Sequence, residues 1–197
     1  IKPTEHILNR YSEINLSQWK LLELGKLTRE EVLVRRYEIL FQEVGMSCDA
    51  KKISEKYEDF LGEGHYFIPG AKELLEDLSK KYHLYLASNG AVKVQMSRIQ
   101  SAGIEKYLEK IFLSEQIGYE KPSPQFFEKC FAQIPDFKKE EALILGDSLT
   151  SDIRGGKNAG ILTVWFHPSG KKVEEEIVPD YEIGKLEELK TILSFYS

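Results

Sequence analysis

Cysteine is scarce in this sequence. Cys48 and Cys130 are the only two among 197 residues. They lie far apart and form no metal-type spacing, which excludes a disulfide framework and a zinc cluster and points to a reducing, cytoplasmic setting. No apolar run is long enough to cross a bilayer. Positive charge is not in excess either: 27 Lys and Arg against 32 Asp and Glu leave a formal net charge of -5. Such a balance gives no reason to expect nucleic acid or an anionic membrane as partner. Internal repeats and low-complexity tracts are absent, and Ile1-Lys-Pro-Thr is no signal-peptide start. The chain opens on Ile1 rather than Met and shows no strand pattern before residue 80. Both features raise the expectation that the true N-terminus lies upstream.

What is present reads as two parts. Hydrophobic residues at 42% and charged residues at 30% are ordinary for a globular protein. Pro3 and Thr4 open a first helix that ends before Gly25. Thr28-Arg-Glu-Glu31 is a capping-box pattern for a second helix closed by Gly45, and Asp49 can cap a third. From Pro69 the pattern alternates: helices from about 70, 92, 124, 150 and 186, and strands over 83–88, 111–114, 142–145, 162–166 and 180–183. Alternation of this kind predicts an α/β fold with a Rossmann-like parallel sheet and helices on both faces. Residues 1–67 form the expected helical module and 68–197 the α/β core. The charged stretch from Ser169 to Pro179 reads as a surface loop.

Three places at strand ends can carry chemistry. Ser88-Asn89-Gly90 ends one strand, where a hydroxyl and backbone N–H groups can hold a phosphate oxygen; a plain turn explains the same residues. Lys121, in Gly118-Tyr-Glu-Lys-Pro-Ser-Pro124, can neutralise phosphate charge with Pro122 fixing the backbone beside it, or be a solvated surface lysine. Asp147 and Asp152 flank Ser148-Leu-Thr-Ser151 where a strand passes into a helix. One of them can simply cap that helix, but two acids at one strand end repel unless a cation or proton intervenes, which favours a hard metal ion with oxygen ligands.

Taken in order, Ser88, Lys121 and the pair Asp147 and Asp152 resemble the second, third and fourth motifs of the haloacid dehalogenase superfamily of phosphatases. The resemblance covers the whole chain, and the helical module is similar to that family's cap. Tyr11-Ser-Glu-Ile-Asn15-Leu-Ser-Gln-Trp19, Gly25-Lys-Leu-Thr-Arg-Glu-Glu-Val32, Gly64-His65 and Pro179-Asp-Tyr-Glu-Ile-Gly-Lys-Leu-Glu-Glu-Leu189 resemble its pyrimidine 5′-nucleotidase branch. The resemblance implies a Mg²⁺-dependent phosphomonoester hydrolase that works through an aspartyl-phosphate on a small phosphorylated substrate, a nucleoside 5′-monophosphate, as a monomer or homodimer. It assigns Ser88, Asn89 and Lys121 to the phosphate, Ser88 and Lys121 to catalysis, and Asp147 with Asp152 (directly or through water) to Mg²⁺. A sugar-phosphate phosphatase with the same core and a non-catalytic phosphate-binding protein are the alternatives. A dehalogenase has no need of a paired-acid cation site.

One departure stands out. The family's first motif, Asp-x-Asp-x-Thr, carries the nucleophile and the general acid/base, and no Asp-x-Asp occurs here. These residues alone are therefore expected to be inactive. In the family the strand bearing that motif lies mid-sheet, between the strands predicted at 83–88 and 142–146. Its absence would leave unpaired backbone groups at about 1–3 kcal/mol each, against a domain stability of about 5–15 kcal/mol. About thirty upstream residues, a strand, a turn and a helix, are expected to supply it. Substrate choice is expected in the cap. Leu8, Tyr11, Asn15, Trp19 and Leu22 fall near one helical face. Asn15 can read a base edge while Trp19 stacks on the ring, or both can be cap packing. His65 can approach the substrate or be a linker residue. Arg35 and Arg36 read as surface charges, either of which could reach a ligand.

Overall fold

Local side-chain chemistry sets the first three helices. Thr4 accepts from the Ile7 N–H and opens α1, Glu5–Glu23. Thr28 and Glu31 form the reciprocal capping box that opens α2, Arg29–Glu43. Asp49 accepts from the Lys52 N–H at 3.1 Å and caps α3, Ala50–Glu63. The computed structural model describes residues 4–170 and 176–196. It divides after Glu63 into two compact units, ahead of the boundary expected at 67/68. In the helical unit Ile14, Leu22, Val32, Tyr37 and Leu40 are buried.

The second unit alternates as expected: α4 (Ala71–Leu78), β1 (Tyr85–Ser88), α5 (Val92–Ala102), β2 (Lys110–Leu113), a short α6 (Ser114–Ile117), α7 (Pro124–Phe131), β3 (Leu143–Gly146), α8 (Arg154–Ala159), β4 (Leu162–Phe166), β5 (Tyr181–Ile183) and α9 (Leu189–Leu193). The helix expected from 150 is split. A π-helical turn, Leu149–Ile153, precedes α8. Ser148 explains it: its carbonyl accepts from both the Asp152 and Ile153 N–H groups, at 2.9 and 3.1 Å, and its hydroxyl accepts from the Ser151 N–H. The expected loop from Ser169 to Pro179 lies partly outside the described residues.

Among the described residues every strand pair is parallel. β1 pairs with β2, and β3-β4-β5 form a second sheet. Alternation along β3 divides its side chains: Leu143 and Leu145 join the core made with α4 and α9, whereas Ile144 joins the core under α7 and α8. Tyr85 and Ala87 of β1 pack on that same α7–α8 core. The two sheets thus share one helical layer, yet β1 and β3 do not pair, and among the described residues no strand lies between them. All residues of β1 and β3 are only half-buried, while β4 is buried from Thr163 to Phe166. No helix among the described residues is long and apolar enough to cross a membrane.

Candidate active site at the strand ends

β1 and β3 end at Ser88 and Gly146, and the segment before α7 brings Lys121 to both. The Lys121 side chain is 8% exposed. Its Nζ donates to the Ala87 carbonyl at 2.8 Å and to Asp152 Oδ1 at 2.6 Å. An ammonium has three N–H bonds, so one remains for a ligand oxygen. Asn89 fixes the lysine from behind: its Nδ2 donates to the Lys121 carbonyl and its Oδ1 accepts from the Lys121 N–H, both at 2.9 Å. The Asn89 side chain thus positions Lys121, a role distinct from the phosphate contact expected for this residue. The Ser88 hydroxyl accepts from the Gly90 N–H at 2.9 Å, which leaves its proton free to donate.

The Asp pair divides its work. Asp152 is buried at 10% side-chain exposure; Oδ1 meets Lys121 and Oδ2 accepts from the Ser148 N–H at 3.1 Å. Asp147 is exposed, and no described residue bonds its carboxylate. Gly146 makes the arrangement possible. A Cβ there would sit 2.3 Å from the Asp152 Cβ and Cγ. Gly156 serves the layer beneath, since a Cβ would meet Ile144 Cγ2 at 2.5 Å and Thr163 Cγ2 at 2.7 Å.

The donor set suits a hard cation. Asp147 offers a free carboxylate, and the Asp152 oxygens, each holding one hydrogen bond, keep further lone pairs. Among the described residues no group of three His, Cys, Asp or Glu side chains converges. These residues therefore provide part of an oxygen-ligand set, with Asp147 as its unencumbered member.

Ser151 also belongs to this neighbourhood. It is buried, and its hydroxyl lies 3.4 Å from Asn89 Nδ2 and 3.5 Å from the Lys121 carbonyl. Sequence reading missed it, because a serine just before an acid at a helix start reads as part of the helix cap. Near the site, burial pushes the Cys130 thiol up to about 12, against the pull of Lys121.

The other predicted residues are each bonded within their own unit. In the helical unit Asn15 Oδ1 accepts from Trp19 Nε1 at 3.1 Å and from Arg36 Nη1 at 3.0 Å. Arg36 is 4% exposed, so it is not the surface charge expected from sequence. His65 is tied within the second unit, with Nδ1 3.0 Å from the Ser101 hydroxyl and its ring edge-on to Phe67.

The sequence profile of haloacid dehalogenase-like hydrolases matches residues 1–166. YfnB of Bacillus subtilis, named a HAD-hydrolase, is 41% identical over 191 residues, covering 97% of this chain and 81% of that protein. The pyrimidine 5′-nucleotidase PynA of Streptococcus pneumoniae is 37% identical over 180 residues, covering 91% of this chain and 76% of PynA. A crystal structure of YfnB, bound to magnesium and described as revealing interdomain movement, superposes with a TM-score of 0.93 over 98% of this chain and 85% of that one. The L-2-haloacid dehalogenase of Xanthobacter autotrophicus shares the fold, with a TM-score of 0.77 at 16% identity, over 98% of this chain and 87% of that one.

Proposed function

The chain belongs to the haloacid dehalogenase-like hydrolase family, and from that premise we propose that it hydrolyses pyrimidine nucleoside 5′-monophosphates with Mg²⁺ as cofactor. The observation that carries this reading is Lys121: buried, fixed by Asn89, Ala87 and Asp152, and left with one N–H bond for a phosphoryl oxygen. Its charge, partly balanced by Asp152, is held in a poorly hydrated place where it acts strongly on charge developing at phosphorus. Ser88 donates its hydroxyl proton to a second phosphoryl oxygen. Asp147 would hold Mg²⁺, with Asp152 beside it directly or through water, and the bound ion would supply further positive charge at the phosphoryl group. Attack on phosphorus through an aspartyl-phosphate calls for an Asp-x-Asp pair, which the 197 residues do not contain. The residues here grip the phosphate and balance its charge.

The similarity to PynA supports a pyrimidine nucleotide as the substrate. A panel of UMP, dUMP and CMP against sugar phosphates, run on the full-length protein with and without Mg²⁺, tests both parts. The expected outcome is Mg²⁺-dependent release of phosphate from the nucleotides above all other substrates. Preference for sugar phosphates overturns the substrate class. Asp147→Asn is expected to abolish turnover, and activity that persists in this variant without metal would sink the metal assignment.

A further inference from the structure

The Asp147 carboxylate projects from an exposed residue at the open end of β3, and its backbone is held from the neighbouring strand. Trp165 of β4 stands in register with Gly146, the residue before it. Its indole Nε1 donates to the Asp147 carbonyl at 3.0 Å. The same ring, 8% exposed, packs with Leu149 and Ile153 of the π-helical turn that carries Asp152. One side chain therefore grips both acid-bearing segments.

Trp165 is itself braced. The His167 ring stacks on it, with centroids 3.9 Å apart and planes 15° apart. Both His167 nitrogens are engaged: Nδ1 lies 2.8 Å from Glu182 Oε1 on β5, and Nε2 lies 2.7 Å from the Ser169 hydroxyl. That order of Glu, His and Ser is also the order of a hydrolytic triad. Its setting is different. Ser169 sits two residues after the histidine in a turn closed by the Gly170 N–H to the His167 carbonyl at 3.2 Å. The ring face is given over to Trp165. The arrangement fixes the rotation of the imidazole and so the plane of the indole.

We propose that Trp165 is the positioning residue for Asp147, and that Glu182, Ser169 and His167 act through it as a bracket from the neighbouring strand. The proposal rests on the reading of Asp147 as a Mg²⁺ ligand. Residues that orient a metal ligand through hydrogen bonds set the affinity of the site, because they fix the ligand before the ion arrives.

Trp165→Phe keeps an aromatic ring facing His167 and deletes the N–H, together with part of the bicyclic ring's packing on Leu149 and Ile153. Mg²⁺ binding is measured by isothermal titration calorimetry on the full-length protein without substrate, so substrate identity does not enter. Binding about tenfold weaker than wild type is expected. Turnover should return at saturating Mg²⁺ with the substrate KM unchanged, a rescue that a merely structural lesion would not show. His167→Phe, which keeps the stack but releases Glu182 and Ser169, should weaken Mg²⁺ in the same direction by a smaller factor. Wild-type affinity in Trp165→Phe overturns the proposal, as does a loss of turnover that Mg²⁺ does not restore. Should that variant not fold, wild-type affinity in His167→Phe overturns it equally. Wild-type protein that binds no Mg²⁺ removes the metal reading and this proposal together, whereas binding lost in Asp147→Asn but intact in Trp165→Phe removes only the proposal.

Discussion

The guanidinium of Arg36 lies over the rings of Tyr37 and Tyr57, at 5.0 and 5.2 Å. Nη1 reaches Asn15 and Nε reaches the Leu33 carbonyl, but Nη2 meets no acceptor, and no carboxylate among the described residues pairs with it. Two aromatic faces offset part of the charge. Asn15→Asp would place a carboxylate on a contact that already exists. A hydrogen bond to a charged acceptor exceeds its neutral counterpart by about 1 kcal/mol. At pH 7 the variant is expected to melt about 2–4 °C higher, the gain vanishing in acid as the introduced carboxylate takes a proton. A lower melting temperature at pH 7 would show that desolvation of that carboxylate wins. At this scale the sequence was informative about position, where the backbone sets it. Ser88, Lys121 and Asp147 stand beside strand ends and could be read there. The roles of Arg36, Ser151 and Trp165 depend on neighbours far away in sequence, set by helix packing and strand register, so no local signal marks them.

Asp180 joins β5 to β4 and α8. Its Oδ2 accepts from the Thr163 N–H at 2.8 Å and the Thr163 hydroxyl at 2.7 Å, its own N–H donates to that hydroxyl at 3.0 Å, and Oδ1 meets Lys157. Burial by itself would raise this carboxyl, but Lys157 and Thr163 outweigh it and hold it below the ordinary Asp range. Lys157 is 40% exposed, so its pair contributes only about 0–1 kcal/mol. The bonds to Thr163, fully buried, carry more. A depressed carboxyl stabilises the fold above its unfolded value of about 3.9 and loses that contribution as pH falls through the lower folded value. Asp180→Asn should therefore cost about 1–3 kcal/mol at neutral pH. The gap to wild type should narrow below about pH 4, as followed by denaturant melts across pH. A gap independent of pH would exclude the carboxylate as its source. Helix starts such as Thr28 with Glu31 were legible because the partners are three residues apart. The π-helical turn was not, since a carbonyl taking two N–H groups leaves no mark on hydrophobic periodicity.

The alternation of strands and helices after residue 69 made the parallel α/β architecture legible, because only parallel strands need a crossover each time. Alternation could not say which strands are neighbours. That is a matter of tertiary order, and the structure answers it with two sheets on one helical layer rather than a single continuous one. The half-buried strands β1 and β3 bear on how the molecule behaves in a tube. Among the described residues each pairs with a strand on one side only, so each presents backbone donors and acceptors in strand geometry, the template for pairing with another chain. The 197 residues prepared by themselves are expected to self-associate, with sedimentation velocity showing a weight-average mass that climbs with loading. A mass that stays at one chain at every loading would mean these edges are inert. If the mass climbs, poor solubility of such a preparation is a property of its strand edges rather than of the buffer.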